Sequence, residues 1–534
     1  MAISVTGLTV HTQVGTGTFK DYESGPGGAS STAIFLSSTS SYARKFTGFK
    51  GFAFEVNAAG TDLSNTVILV RILVNGGIGA TLAADGIRIR LEDTSANISD
   101  WTVGGSDTYS GGWAELVIDT ANAETSNSGT AATLTSIQYV GIYLNAAAAS
   151  GGDPNVYLDE ILSYPNTGLT LGGNTTQLFD ELYTFDDTSK YGIISKRGGV
   201  VFSKAPLIMS PDATGHTSVD EVVVFEEPIY EDGTNVDSAL TLQGLSSADT
   251  DAITLTRLIT ICEDNADVTG TNANKELDFA SATNITADTC TFRGFTGTDV
   301  ALGGSGNSYD DCTWQTCNQI TDTGAVVRGG FVRDTTAIAT EASLLWTSSS
   351  DWEDTTFIMG STNSHAIEIE TNNLTDTWTG FTFTGYNATA GPTTVGNEVL
   401  NNQSTTGTVT ISAVGTIGTI SFYNRGGGST DIQTSVSVSF EAVDASDAAI
   451  QSVRVTAYLV SDDSEVINTT TNVSGIAAAS FSGTTPADIY YRYRKSSPGA
   501  TKYVNLSGFA TIESSTGVSV KRNMREDTTA DPSL

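Results

Sequence analysis

Cationic and sulfur-bearing side chains are scarce in this 534-residue chain: 25 Lys and Arg stand against 60 Asp and Glu, with 4 Cys, 4 Met and 3 His. A net charge of −35 repels the phosphate backbone of nucleic acids and the surface of anionic membranes, which argues against both as partners. Long helices rich in Ala, Leu, Glu and Lys are missing. The nearest candidate, at 145–150, runs into Gly151-Gly152 and reads as a loop. No run reaches the roughly 18 apolar residues that span a bilayer. The opening MAISVTGLTVHTQ has neither a basic stretch nor an apolar core, so no signal peptide is expected and the chain is expected to fold in a cytoplasm. The cysteines, Cys262, Cys290, Cys312 and Cys317, share one segment without a CxxC pair, and His11, His216 and His365 are scattered. That distribution fits buried reduced thiols better than a disulfide scaffold or a zinc site. Only 16% of residues are charged and 39% are hydrophobic, so the chain is not a disordered polyelectrolyte.

What is abundant is Gly, 55 residues, with Thr and Ser, the composition of many short strands and tight turns. Length suggests about three or four domains. Residues 1–165 alternate as sandwich strands do: Phe52, Phe54 and Val56, then a buried run at 66–74, then Ile87, Ile89 and Leu91 against Arg88 and Arg90. Residues 166–239 read as a transition of glycine turns and aromatic strands, ending in an acidic group, Glu226, Glu227, Glu231 and Asp232, that reads as a solvated loop or a cation site. From 240 to 425 short phrases recur. ADTCTFRGF, YDDCTWQTC, RGGFVRDTT, WEDTTFIMG and WTGFTFTGY place Phe292, Trp314, Phe331, Phe357 and Phe383 at intervals of roughly 17 to 26 residues, a solenoid spacing. On this alignment Cys290 and Cys312 are equivalent positions of successive coils and Cys317 faces inward at the next strand. A long sandwich of repeated hairpins is the alternative. Gly426, Gly427 and Gly428 read as a flexible joint, and 434–525 alternates as a compact β-domain through Val436, Val438, Phe440, Val453 and Val455, with a polar tail at 526–534.

The expected fold class is therefore all-β. GGWAELVID, IQYVGIYL and NVYLDEI resemble the last strands of jelly-roll sandwiches of the carbohydrate-binding-module type. That resemblance implies a structural calcium near the final strand, at Asp159 or Glu160. VSFEAVD, IQSVRVTAY and TNVSGIAAASF resemble immunoglobulin-like or transthyretin-like modules. The recurring phrases resemble a right-handed parallel β-helix. Together the three parts look like a tailed-bacteriophage virion protein of the tail-fibre, tailspike or head-fibre type. The resemblance implies a virion location, a homotrimer, contacts with other virion proteins, a host-surface glycan as an external partner, and no membrane insertion.

An enzyme remains the second reading, a tailspike-like depolymerase of host glycan. A glycoside hydrolase needs two carboxyl groups roughly 5 to 9.5 Å apart. The candidates are Glu368 with Glu370, two apart on a strand and so on one face, which suits a cleft, Glu353 with Asp354, and Asp310 with Asp311. Trp314, Trp352 and Trp378, with Trp346, Trp101 and Trp113, are candidate sugar platforms, though a tryptophan in a β-fold is more often core. No cofactor is expected apart from calcium. No Ser/His/Asp elbow, HExxH or phosphate loop occurs.

Overall fold

The computed structural model describes residues 4–13, 19–21, 29–31, 41–45, 50–75, 82–104, 113–146, 155–172, 178–182, 193–209, 217–226, 242–244, 253–262, 276–296, 299–334, 342–360, 365–387, 397–415, 419–482, 486–495, 501–513 and 517–528. The fold is all-β: among these residues stand one five-residue α-helix, Leu178–Leu182, and one 3-10 turn, Leu134–Ser136. No helix among them is long and apolar enough to cross a membrane. The chain forms two compact units, Met1–Ala325 and Val326–Leu534.

The first unit begins with two antiparallel sheets. One orders Trp113–Asp119, Thr66–Asn75, Asn155–Pro165, Ser41–Lys45 and Ala29–Ser31, with Thr9–Gln13 also on Asn155–Pro165. The other orders Ser126–Asn127, Ile98–Gly104, Leu82–Asp93, Ile137–Ala146, Lys50–Glu55 and Phe19–Asp21. Ile68, Val70, Ile72 and Leu158 of the first meet Ile87, Ile89, Leu91 and Ile142 of the second in one apolar core. The opposite face of the first sheet is buried as well, through Val67, Leu69, Arg71, Leu162 and Tyr164. This explains why 66–74 is apolar without alternation: both faces of that strand are covered. The cover comes from the chain that follows. Tyr164 Oη donates to the Lys204 carbonyl at 2.8 Å, and the Leu169 amide donates to the Pro206 carbonyl at 2.8 Å.

Parallel pairing starts with Leu169–Gly172 on Leu207–Met209, upstream of residue 240. Each coil then lays one strand on each of three parallel sheets. Thr217–Val219, Val222–Phe225 and Leu242–Gly244 are one round; Ile253–Thr256, Ile259–Cys262 and Leu277–Asp278 are the next. Side chains at one register position stack from coil to coil. Val223, Thr260, Phe292 and Trp314 form one such column, and Leu255, Ala287 and Tyr309 another, all without exposure. The Phe292 and Trp314 rings lie 6.2 Å apart and 24° from parallel. Burying rings of this size contributes about 3 kcal/mol each, which pins the register of strands only three to five residues long.

The DDCTW stretch follows from the corner between two of these sheets. Asp220, Arg257, Thr289 and Asp311 all hold positive φ, from 50° to 59°, and occupy the same corner of successive coils. The amide of each of the first three donates to the last strand residue of the next coil: Asp220 to Thr256, Arg257 to Asp288, Thr289 to Asp310. The residue after the corner turns inward. Cys290 therefore donates its thiol to the Leu255 carbonyl and Cys312 to the Ala287 carbonyl, contacts displaced by one coil. Cys317 is buried too and donates to the Phe292 carbonyl; none of the four cysteines is in a disulfide.

In the second unit the same corner recurs at Gly329, Asp354 and Gly380. At Gly380 φ is +70°, and a Cβ there would sit 1.8 Å from Asp354 Oδ1, so a side chain would have to displace that carboxyl. Gly330, also at positive φ, takes the place that Thr355 takes in the next coil, its carbonyl accepting from the Thr356 amide at 3.0 Å. Phe331 pairs with Thr356 at the outward position of its strand and is 49% exposed, while Val332 takes the inward place in register with Phe357 and Phe383. This corrects the alignment of Phe331 with the other aromatics. Trp346, Trp378, Phe381 and Phe383 fill the interior, with Trp346 and Trp378 5.5 Å apart. Near the last coils polar residues replace aliphatic ones: Asn402 Nδ2 donates to Asn424 Oδ1 at 3.1 Å, the Ser429 carbonyl at 3.1 Å and Thr430 Oγ1 at 2.9 Å.

Ser429–Val443 then runs unbroken out of this sheet. Its first half pairs parallel with Thr408–Val414; its second half pairs antiparallel with Ile476–Ser482 and parallel with Val518–Asn523. Gly426–Gly428 is no flexible joint. The Gly426 and Gly428 amides donate to Asn402 and Ser404 carbonyls, and a Cβ on Gly428 would meet Ser404 Oγ at 2.3 Å. The terminal module is completed by a four-stranded antiparallel sheet, Glu465–Thr470, Arg454–Leu459, Ala487–Lys495 and Tyr503–Ile512, over a core of Val438, Phe440, Val455, Ile489, Tyr491 and Tyr493.

Candidate functional site

The structure places the candidate sugar platforms inside the fold. Trp314 and Trp378 have no exposure and Trp352 has 2%. A stacking platform must present a ring face to solvent; these rings face Phe292, Phe381 and Phe357 instead. Trp346 is equally enclosed, and its Nε1 donates to Asp376 at 2.8 Å. Trp101 is 5% exposed and donates to the Asn122 carbonyl at 3.1 Å. The Trp113 side chain lies outside the described residues.

The candidate carboxylate pairs each straddle the end of a strand. Glu353 ends a strand, where its Oε2 lies 3.4 Å from Arg328 Nε, and Asp354 occupies the positive-φ corner beyond it. Asp310 and Asp311 divide in the same way, both exposed. Glu368 lies within His365–Ile369, whereas Glu370 falls one residue past its end and is exposed, so strand alternation does not bring the two together. Glu368 is buried, with Oε2 accepting from Asn401 Nδ2 at 2.9 Å.

The Glu368 carboxylate belongs to a different group. Ile367 and Ile369 point to the interior with Leu344 and Trp346, their register partners, so Glu368 and its own partners Asn401 and Tyr423 occupy the opposite face of that sheet. His365 is fully buried there. Its Nδ1 lies 2.9 Å from the Glu398 carbonyl, and its ring stacks on Tyr423 at 6.4 Å and 7°. These groups form a buried polar seam across neighbouring coils, held by the Asn401–Glu368 and His365–Glu398 contacts.

Of the two candidate calcium residues, Glu160 is engaged by a side chain of the neighbouring strand. Glu160 is 1% exposed and ion-paired with Arg71, which has no exposure. Arg71 Nε also reaches Glu115 Oε1 at 3.2 Å, and Glu115 in turn holds Lys204. The Glu160 Oε2 that would face a cation thus already has a guanidinium as its partner. The Asp159 side chain lies outside the described residues. Of the acidic group at 226–232, Glu226 pairs with Arg197; Glu227, Glu231 and Asp232 lie outside the described residues. No cluster of His, Cys, Asp and Glu suited to a metal occurs among the described residues.

Sequence reading passed over the outer face of the terminal four-stranded sheet. Ile489, Tyr491 and Tyr493 face the core, so Asp488, Tyr490, Arg492 and Arg494 face out. In register across the strands, Tyr458, Tyr490 and Phe509 form one row, Thr456, Arg492 and Ser507 the next, and Arg454 stands opposite Arg494. Tyr458 and Tyr490 stack at 5.6 Å, and Tyr490 Oη donates to Asp463 Oδ1 at 3.0 Å. That bond raises the Tyr490 pKa and the nearby Arg492 lowers it, with a net upward shift. Phe509 is 76% exposed, a large apolar ring standing free on a sheet. The signal was present in DIYYRYRK, but aromatics on both parities of the strand hid which face was which. Beside Asp488 opens a cleft of about 770 Å³, lined by Val460, Asp462, Glu465, Phe481 and Pro486 among others.

No family model matches the chain, and no curated protein matches it. Solved structures similar to part of it include the Family 11 Carbohydrate-Binding Module of cellulosomal cellulase Lic26A-Cel5E of Clostridium thermocellum, at 13% identity and a TM-score of 0.21. Another is the Family 11 module from the same organism in complex with a beta-1,3-1,4-mixed-linked tetrasaccharide, at 12% identity and a TM-score of 0.21. Each match covers 30% of this chain and 95% of the other. A likeness at that score assigns this chain neither ligand nor activity.

Proposed function

We propose that the chain is a non-enzymatic structural component of a phage virion, of the tail-fibre, tailspike or head-fibre kind, that works as a homotrimer and holds a terminal module out for host-surface attachment. One observation supports this most. Ser429–Val443 is a single strand hydrogen-bonded at one end into the coil sheet and at the other into the terminal sandwich. Bending at the boundary would break ladder bonds on both sides, so the coil and the module are built to keep a fixed relation. A part that carries another part in a set direction needs that property. A part that only encloses an active site does not.

Light scattering of the purified chain, with and without a chelator, tests the reading. It predicts a trimer whose mass EDTA leaves unchanged. A monomer that shortens acidic or neutral polysaccharides, and loses that activity in Glu368→Gln, would replace it with the depolymerase reading.

A further inference from the structure

We infer that the outer face of the terminal four-stranded sheet is a binding site for an anionic glycan, a polymer carrying carboxylate groups on its sugar rings. The inference rests on the attachment reading for the biological source of the ligand, but the site is argued from its own chemistry.

Charge is the first observation. Residues 434–534 carry eight Lys and Arg against eleven Asp and Glu; the remaining 433 carry 17 against 49. Three of those eight cations, Arg454, Arg492 and Arg494, stand exposed on one sheet face. Arg454 and Arg494 are directly opposed across adjacent strands. Like charges in that position destabilise a sheet, and an anion between them turns the repulsion into a clamp. Arg454 is steered by a neutral group, with Nε and the terminal nitrogen at 3.1 and 2.7 Å from Asn468 Oδ1, which keeps its positive charge available. Guanidinium groups pair carboxylates in a planar, two-bond geometry that a polymer of uronic or sialic acid type can meet repeatedly.

Apolar surface is the second. One register step from the arginines lies the row Tyr458, Tyr490 and Phe509, and the Phe509 ring is mostly in solvent. A sugar ring has an apolar face of C–H groups that covers such a ring, while its hydroxyls need acceptors. Asp488, on the same strand two residues before Tyr490, and Asp463, at the Tyr490 hydroxyl, supply them. The face is therefore graded along the strand: carboxylates at one end, aromatics between, arginines at the other. That order suits a ligand with hydroxyls and carboxylates on opposite edges of a ring.

Size decides between a glycan and a protein partner. Four strands spaced about 4.8 Å apart, over six or so residues at about 3.3 Å, give a face of roughly 400 Å². A stable protein–protein contact uses about 800 Å² on each side. The face holds a few sugar rings and falls short of a stable contact with another copy of this chain.

The test is affinity electrophoresis of the intact chain through gels containing polygalacturonate, alginate or polysialic acid, with dextran as the neutral control. At least one acidic polymer should retard the chain, and dextran should not. Arg492→Ala with Arg494→Ala, and separately Phe509→Ala, should each weaken retardation at least tenfold with an unchanged melting profile. Retardation by none of the three polymers, equal retardation by dextran, or retardation that survives both variants overturns the site. If Phe509→Ala lowers the mass in solution and no polymer binds, the face joins copies of the chain, which also overturns it. Loss of glycan binding from a chain that stays trimeric removes the site and leaves the proposed structural role standing.

Discussion

Arg71 and Glu160 offer a perturbation whose size follows from the structure. Glu160→Gln keeps the shape of the side chain but removes the charge facing a guanidinium that has no exposure. Breaking a buried ion pair in this way costs about 3–5 kcal/mol, because the remaining charge is left in a low-dielectric site. Glu115 still reaches Arg71 Nε at 3.2 Å and is 28% exposed, so the lower end, about 3 kcal/mol, applies. For a domain of this size each kcal/mol moves the melting point by about 2–4 °C, giving a drop of roughly 6–12 °C in the transition that includes the sandwich. The double variant Arg71→Met, Glu160→Leu removes both charges, fills similar volume and should recover most of the loss. Calorimetry of the full chain reads all three proteins, and EDTA should not move the wild-type transition. A Glu160→Gln variant that melts within 1 °C of wild type, or a wild-type melt that EDTA lowers by as much as the substitution does, would refute the reasoning and return Glu160 to the role of a metal ligand.

Other consequences are open to direct measurement. Cys290, Cys312 and Cys317 sit inside the coils, and the adjacent Cys290 thiol together with burial pushes the Cys312 thiol well up; none of the four cysteines should react with a thiol reagent until denaturant is added. Trp314→Ala should cost about 3–5 kcal/mol, read as a fall in the urea midpoint, since it opens a cavity in a column of stacked side chains. Asn402→Ala removes the partner of Asn424, Ser429 and Thr430 and should cost about 3 kcal/mol, more than an exposed Asn→Ala change on the same sheet. Burial lowers the His11 pKa to about 4, beside Ser163 Oγ at 2.6 Å. The unfolded chain then binds the extra proton between pH 6.5 and 4, so stability falls with pH across that window, by roughly 3 kcal/mol in total. His11→Gln should flatten that part of the stability profile; an unchanged slope would show that the histidine is not buried neutral.

Two periodicities make the all-β fold legible in the sequence. Strand alternation marked the two sandwiches, and the spacing of Phe292, Trp314, Phe357 and Phe383 reflects side chains that occupy one column or its counterpart in later coils. Legibility failed where residue type and strand face disagree. Phe331 stands at the outward position of its strand, in register with Thr356, and Val332 beside it takes the inward place; an aromatic on the outer face and an aliphatic on the inner invert the pattern of the neighbouring coils. Gly426–Gly428 read as a joint because glycine permits motion, yet here it permits close approach to the coil beneath. The candidate site was harder still. In strands of three to five residues an aromatic or a carboxylate has no alternating context long enough to assign its face. Trp314, Trp352 and Trp378 proved interior, Glu368 fell on a sealed seam, and Glu160 met a cation from 89 residues away in the chain. The face carrying Tyr490, Arg492 and Phe509 was written in the sequence as alternation, but its register partners come from strands that only the fold aligns.

The central claim, a fixed structural part of a virus particle, is tested most directly on particles. Antibody raised against the chain, applied with gold label to gradient-purified virions from the source culture, should decorate a projecting appendage at one defined location on each particle. Peptides of the chain should appear in those virions at a constant ratio to the major capsid protein. Absence of both label and peptides from purified virions, with the chain found free in the lysate, would contradict the account.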